Sequence, residues 1–238
     1  MQPSGFLSSL VQPNPEELAA RQRGVMRTVY AGMTVALFIT AFVAFVTINV
    51  TPLLRLVANQ PVLIGLMIVQ LVLVLGLSWG INRLPLAVSL LGFLVYSVVM
   101  GLMLSVILLG YTAGDVTAAF LSTSLLFAAM SILGYTTKSD LTQLGGFLIM
   151  GLIGLIIGSI INLFLASDAL DWILTYAGIA IFIGLTAYDT QRIKTMTAEA
   201  VATGQSGIEW RVGLRGALIL YLDFINLFLR ILRLFRQR

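Results

Sequence analysis

The sequence predicts an all-α membrane protein, a bundle of seven transmembrane helices with no soluble domain. Three observations predict it. Hydrophobic residues make up 59% of the 238-residue chain and charged residues only 10%, where soluble domains run near about 45–50% and about 25%. The apolar residues fall into runs of roughly the 20 residues that cross a bilayer, joined by short loops. These runs are too long and too uniformly apolar for barrel strands, and only helices or closed barrels satisfy their backbone in lipid.

The elements follow in order. Residues 1–24 are polar, with Pro3, Pro13, Pro15, Glu16 and Glu17, and read as a short cytoplasmic N-terminal tail. The apolar run after them is too long for a signal peptide and lacks a cleavage site. The transmembrane domain, 25–238, carries spans at 26–49, 61–82, 85–109, 115–135, 142–165, 172–191 and 212–235. Pro52, Pro61 and Pro85 punctuate three boundaries, as proline does where a helix starts or stops. Asp115, Asp140 and Asp171 stand where helix N-caps belong, and Asp168 reads as a loop residue. Gly151, Gly154 and Gly158 put small residues along the fifth span, where another helix can approach closely.

Composition also excludes classes of function. The chain has no cysteine and no histidine. Thiolate metal sites and thiol nucleophiles are therefore absent, as are the commonest metal ligand and the usual proton carrier near neutrality. No bound cofactor is expected. The net charge of +4 belongs to membrane topology, because the basic residues cluster at segment ends and form no nucleic-acid surface. With the N-terminus inside, the inner loops hold Arg21, Arg23, Arg27, Arg83, Lys138, Arg192, Lys194, Arg211 and Arg215, and the outer loops only Arg55. That asymmetry predicts a cytoplasmic N-terminus. Arg230, Arg233, Arg236 and Arg238 run against it. A full seventh span leaves them outside and a re-entrant segment returns them inside; the expectation here is a full span.

Two carboxylates lie inside apolar segments. Asp189 is five residues before Lys194 and Asp223 eight residues after Arg215, so roughly 7 Å and about 12 Å deep at about 1.5 Å per residue. Both depths are measured from the same expected loop, 192–211, so antiparallel neighbours can bring the two side chains to one level. A carboxylate in a membrane costs at least about 2.5–3.5 kcal/mol to insert, so it is partnered, near water or functional. Asp223, Asn226 and Arg230 fall at one helix face, with Arg233 continuing the line. A polar stripe of this kind points into protein or water, so the last helix lies at the centre of the bundle or lines a path. Two carboxylates in contact titrate as a unit. Sharing a proton, they draw two helices together; without it they repel. Asp189 and Asp223 also form a weak oxygen site for a transient Ca²⁺. The plainer alternative makes each aspartate a structural hydrogen bond between helices.

GLTAYDTQRIK (Gly184 to Lys194) and ALILYLDFINLFLRILRLF (Ala217 to Phe235) resemble the signature segments of the Bax inhibitor 1 family, also called the transmembrane Bax-inhibitor-motif proteins. GYTTKSDL (Gly134 to Leu141) is similar to the bacterial branch. The likeness covers nearly all residues after about 20. It implies seven helices with the last one central, in the bacterial inner membrane. It also implies an aspartate pair, here Asp189 and Asp223, that senses pH and gates a Ca²⁺ leak. In one described member an arginine at the end of the second helix contacts the pair; in LSWGINRLPL the candidate is Arg83. A distant bacterial relative is linked to modulation of a membrane protease.

Three functions compete at this point. The first is a passive, non-enzymatic, pH-regulated Ca²⁺ leak. The second is an intramembrane aspartyl protease, which also needs two aspartates around a water. Its Gly-x-Gly-Asp is missing, since Tyr221-Leu222-Asp223 stands in its place. The third is a non-catalytic regulator or partner of a membrane protease or other membrane complex. The expected partners are the lipid bilayer and Ca²⁺ or protons.

Overall fold

The computed structural model describes residues 15–81, 83–202 and 206–235. Among them it has eight helices and no strand: α1 (Pro15–Asn49), α2 (Thr51–Val57), α3 (Gln60–Gly80), α4 (Leu86–Leu108), α5 (Ala113–Thr136), α6 (Thr142–Leu165), α7 (Asp168–Ala202) and α8 (Ser206–Phe235). Six of them, α1 and α3 to α7, are long and apolar enough to cross a membrane. Hydrogen bonds from Gln22 to Lys194, Lys194 to Tyr135, Leu141 to Gln191, and Arg211 to Ile81 and Leu84 bring the ends of α3, α5 and α7 and the starts of α1, α4, α6 and α8 to one face. That face carries most of the basic residues and is called the basic face below.

The helix starts follow from local chemistry. Pro15 opens α1 with Glu16 and Glu17 in its first turn, where a missing N–H costs nothing and negative charge meets the helix dipole. Residues 1–14 of the expected tail lie outside the described residues, and 15–24 are helical and continuous with the first span. Pro52 and Pro61 sit in the first turns of α2 and α3, and Pro85 is the N-cap of α4. The N-cap of α5 is Thr112 and not Asp115. The two close a capping box: Asp115 N–H donates to Thr112 Oγ1 at 3.1 Å and Thr112 N–H to Asp115 Oδ2 at 3.0 Å, the reciprocal arrangement of such boxes. Asp168 and Asp171 both lie within the first turn of α7, so Asp168 is helical where a loop was expected. Asp140 precedes α6 and accepts from the Thr142 N–H at 2.9 Å and the Thr142 hydroxyl. The hydroxyl first, then the N–H, holds Asp140 below the usual carboxylate range.

The largest departure from the sequence reading is the segment 192–211. Its polar composition predicts a loop, yet α7 continues to Ala202 and α8 begins at Ser206. These extensions pack on the start of α1. Gln22 Nε2 donates to the Lys194 carbonyl at 3.2 Å, and Arg21 pairs with Glu209 at 2.8 Å. Apolar contacts fill the same region: Val29, Ile193, Val201 and Ala217 are all at most 1% exposed.

The last helix packs against α1, α4, α5 and α7. Leu220, Tyr221, Leu227 and Leu232 on it are fully buried. By contrast α3 packs on α2 and α4, and α6 on α7, leaving these two as outer walls with broad apolar surfaces.

Candidate functional site: a two-carboxylate cavity

Close helix contacts position α7. At Gly134 of α5 an added Cβ would run into the backbone of Ala187, so α5 and α7 touch main chain to main chain two residues before Asp189. One residue after Asp189, the Thr190 hydroxyl reaches Ser131 of α5 at 3.5 Å. On the other side, Gly151 and Gly158 of α6 receive Ile181 and Leu174 of α7, and Gly184 of α7 receives Leu148 of α6. The small-residue stripe expected on the fifth span therefore works at Gly151 and Gly158. Gly154 has nothing within 4 Å and faces away.

Anchors on both sides position Asp223. The Tyr221 hydroxyl shares a 2.7 Å hydrogen bond with Thr40 of α1, whose own hydroxyl donates to the Ser97 carbonyl of α4 at 3.0 Å. The Tyr221 ring meets Phe93 and Tyr96 edge to face, with centroids at 5.6 and 5.8 Å. One residue beyond Asp223, Phe224 meets Phe120 and Phe127 of α5 at 5.7 and 5.4 Å. Such pairs add about 0.5–1.5 kcal/mol each beyond burial.

The two aspartates line one cavity of about 660 Å³, together with Tyr96, Tyr188, Arg192, Asn226 and Arg230. Asp189 is 9% and Asp223 5% exposed. They stand on the packed helices α7 and α8 and face the same space. Asp223 Oδ2 is buried and has no hydrogen-bond partner among the described residues, which is rare for a buried polar atom. The walls from α3 and α6 hold no titratable group: Val74 stands on one, and Ile149, Leu152, Leu155, Ile156, Ser159 and Ile160 on the other. All the charge in the cavity thus belongs to α7 and α8. From Ile219 to Arg230 the cavity follows α8 for about 16 Å at about 1.5 Å per residue.

Asp189, Asp223, Asn226 and Arg230 therefore come together around one space. Asn226 donates back to the Leu222 carbonyl at 2.8 Å. Arg230 donates to the Leu174 carbonyl at 3.3 Å and lies over Gly178, where an added Cβ would sit 2.9 Å from its Nε. Arg83 is not among them. It is exposed in the loop between α3 and α4, outside the cavity lining. That loop is tied instead by Arg211, which donates to the Ile81 and Leu84 carbonyls at 2.8 and 2.9 Å. The arginine beside Asp189 in the cavity lining is Arg192, one turn along α7. Its i, i+3 spacing from Asp189 is visible in the chain, but a basic residue at a span end reads first as topology. Among the described residues no three acidic, cysteine or histidine side chains cluster. A Ca²⁺ ion takes about 6–8 oxygens, so carbonyl or water oxygens would have to complete any shell around the pair.

These features define a helical integral membrane protein with an acidic pair buried between its last two helices. A family model described as "Inhibitor of apoptosis-promoting Bax1" matches residues 22–238. The chain is 45% identical over 231 residues to the inner membrane protein YbhL of Escherichia coli (strain K12), across 97% of this chain and 96% of YbhL. It is 39% identical over 216 residues to an uncharacterized protein of Rickettsia prowazekii, across 91% and 90% of the two chains. An uncharacterized protein of Borreliella burgdorferi is 38% identical over 211 residues, across 88% and 90%. The chain belongs to the Bax inhibitor 1 family.

Proposed function

We propose that this chain is a pH-sensitive Ca²⁺ leak channel of the bacterial inner membrane, with the Asp189–Asp223 pair as its gate. The observation that carries the reading is one cavity with two buried carboxylates from adjacent helices, one of them with an unpartnered oxygen. Protonated, the pair hydrogen-bonds across the α7–α8 interface and holds it shut. Deprotonated, the carboxylates repel, the interface loosens, and the same oxygens become weak ligands for a passing Ca²⁺. The role is passive, with no covalent chemistry and no resident cofactor.

The architecture proposed with it has seven spans, α8 central, and the N-terminus in the cytoplasm. The 30 residues of α8 measure about 45 Å, more than the roughly 30 Å of the hydrocarbon core. Arg233 near its end pairs with Asp171 at the start of α7, 3.1 Å apart, which supports a full crossing. Two of the four arginines that oppose the charge rule are thereby accounted for, Arg233 by that pair and Arg230 by the Leu174 carbonyl. Arg236 and Arg238 lie outside the described residues.

Ca²⁺ entry into dye-loaded proteoliposomes tests the reading. Wild-type flux should follow pH, and Asp223→Asn should change that dependence. Unchanged flux and unchanged pH dependence in the variant would remove the pair from the mechanism. A second reading, a non-catalytic regulator that restrains a membrane protease or other complex, draws on the family's description as an inhibitor. It also draws on the lipid-facing aromatics of α1, since Phe38, Phe42 and Phe45 are 58–70% exposed. Stoichiometric recovery of a partner from native membranes, with no flux in liposomes, would favour it.

A further inference from the structure

A second cavity, of about 580 Å³, opens on the basic face between the 137–141 loop and α7. Its lining is polar, with Lys138, Asp140, Gln191 and Lys194 among it. Two residues line both this vestibule and the aspartate cavity: Tyr188 and Arg192. They stand at i and i+4 on α7, one above the other on one helix face. The wall between the two spaces is thus a single helical turn.

Each member of that turn is placed for the task. The Tyr188 ring lies against Gly145 of α6, where any added Cβ would run into it. The glycine lets the ring close the gap between α6 and α7. Neighbouring polar residues are committed elsewhere: Gln191 bridges the Leu141 N–H and the Ser139 carbonyl at 2.9 and 2.8 Å, and Lys194 donates to the Tyr135 carbonyl at 2.7 Å. Arg192 is exposed and donates no hydrogen bond to the described residues. It stands one turn from Asp189 on α7 and lines the same cavity. A positive charge standing between the two spaces repels a divalent cation and attracts a carboxylate.

We propose that the Tyr188–Arg192 turn, seated on Gly145, is the barrier between the aspartate cavity and the basic face, and that Arg192 sets how readily cations cross it. The inference rests on the leak reading of the aspartate pair and adds a second control point to it. Removing the charge lowers the barrier. Removing Gly145 displaces the ring and opens the same wall.

The chain has no cysteine, so a single introduced thiol reports access cleanly. Leu222→Cys places one in the aspartate cavity. A cationic, membrane-impermeant thiol reagent is then applied from the basic face of oriented vesicles, with Ca²⁺ flux measured in parallel. Arg192→Gln should raise both the modification rate and the flux, on the order of tenfold. Arg192→Glu should raise them further, Arg192→Lys should stay near wild type, and Gly145→Ala should raise the modification rate with Arg192 intact. Equal rates for the Lys, Gln and Glu variants would overturn the proposal, because a merely structural effect would not follow charge. Aspartate-dependent flux with no response to Arg192 would sink this inference and leave the leak reading standing. Absence of flux in every variant would sink the leak reading, while the thiol rates would still decide the barrier.

Discussion

Replacing Gly134 with alanine tests the packing that sets the position of Asp189. The new Cβ would meet the carbonyl oxygen, carbonyl carbon and Cα of Ala187. These are backbone atoms and cannot swing aside as a side-chain tip would, so α5 or α7 must shift. Overpacking of this kind costs typically about 1–3 kcal/mol, and a backbone obstacle places Gly134 at the upper end. Against it, alanine improves the intrinsic helix preference by about 1 kcal/mol. The net expectation is a loss of about 2 kcal/mol. Gly154→Ala is the matched control, since nothing lies within 4 Å of its Cβ and only the helix preference remains. Thermal unfolding in detergent, followed by the fluorescence of the three tryptophans, should therefore shift down for Gly134→Ala and hold or rise for Gly154→Ala. Because Ala187 is two residues before Asp189, the first variant should also alter Ca²⁺ flux and the second should not. Equal stability of the two variants, or the opposite order, would refute the reasoning.

Other expectations follow from the same contacts. Tyr221→Phe removes one buried hydroxyl and leaves Thr40 donating to the Ser97 carbonyl, so unfolding should show a loss of about 0.5–1.5 kcal/mol. Arg21→Gln leaves Glu209 Oε1, a buried atom, without its cation and should cost about 1–3 kcal/mol; an Arg21→Glu/Glu209→Arg exchange should restore part of it. Arg233→Gln breaks a pair whose side chains are 48% and 41% exposed, so its loss should be about 0–1 kcal/mol and vanish in high salt. Ala166 ends α6 with φ 46°, the left-handed conformation where glycine is at ease, so Ala166→Gly should raise the unfolding midpoint by the equivalent of about 1 kcal/mol.

Much of the fold was legible because membrane helices declare themselves by length and hydropathy. The starts at Pro52, Pro61 and Pro85 were marked by residues whose local chemistry leaves few options. The extensions at 15–24 and 192–211 were not legible by the same signal. They are helices outside the apolar window, stabilised by contacts such as Arg21–Glu209 that link positions far apart in sequence. Pro15-Glu16-Glu17 is a helix start, a proline followed by two acidic residues, although its polar composition equally suits a tail. At the site, Asp189 and Asp223 stood out by cost alone. Asn226 and Arg230 followed from helical spacing, which is local information. Arg192 and Tyr188 did not, because a charge at a span end is ordinary until a second cavity is found on its other side. Gly134 looked like any small residue; its role depends on where α7 runs. Arg83 is a candidate by family likeness alone; its loop is held by Arg211 and it lies outside the cavity lining.

The central claim is that Asp189 and Asp223 act as one unit. Ca²⁺ entry into proteoliposomes, compared from about pH 5 to about pH 8 for wild type, Asp189→Asn, Asp223→Asn and the double variant, tests it most directly. If the pair is a unit, each single variant should remove the pH dependence as fully as the double, a clear departure from additivity. Independent, additive changes in the two single variants, or a pH profile untouched in the double, would contradict the account.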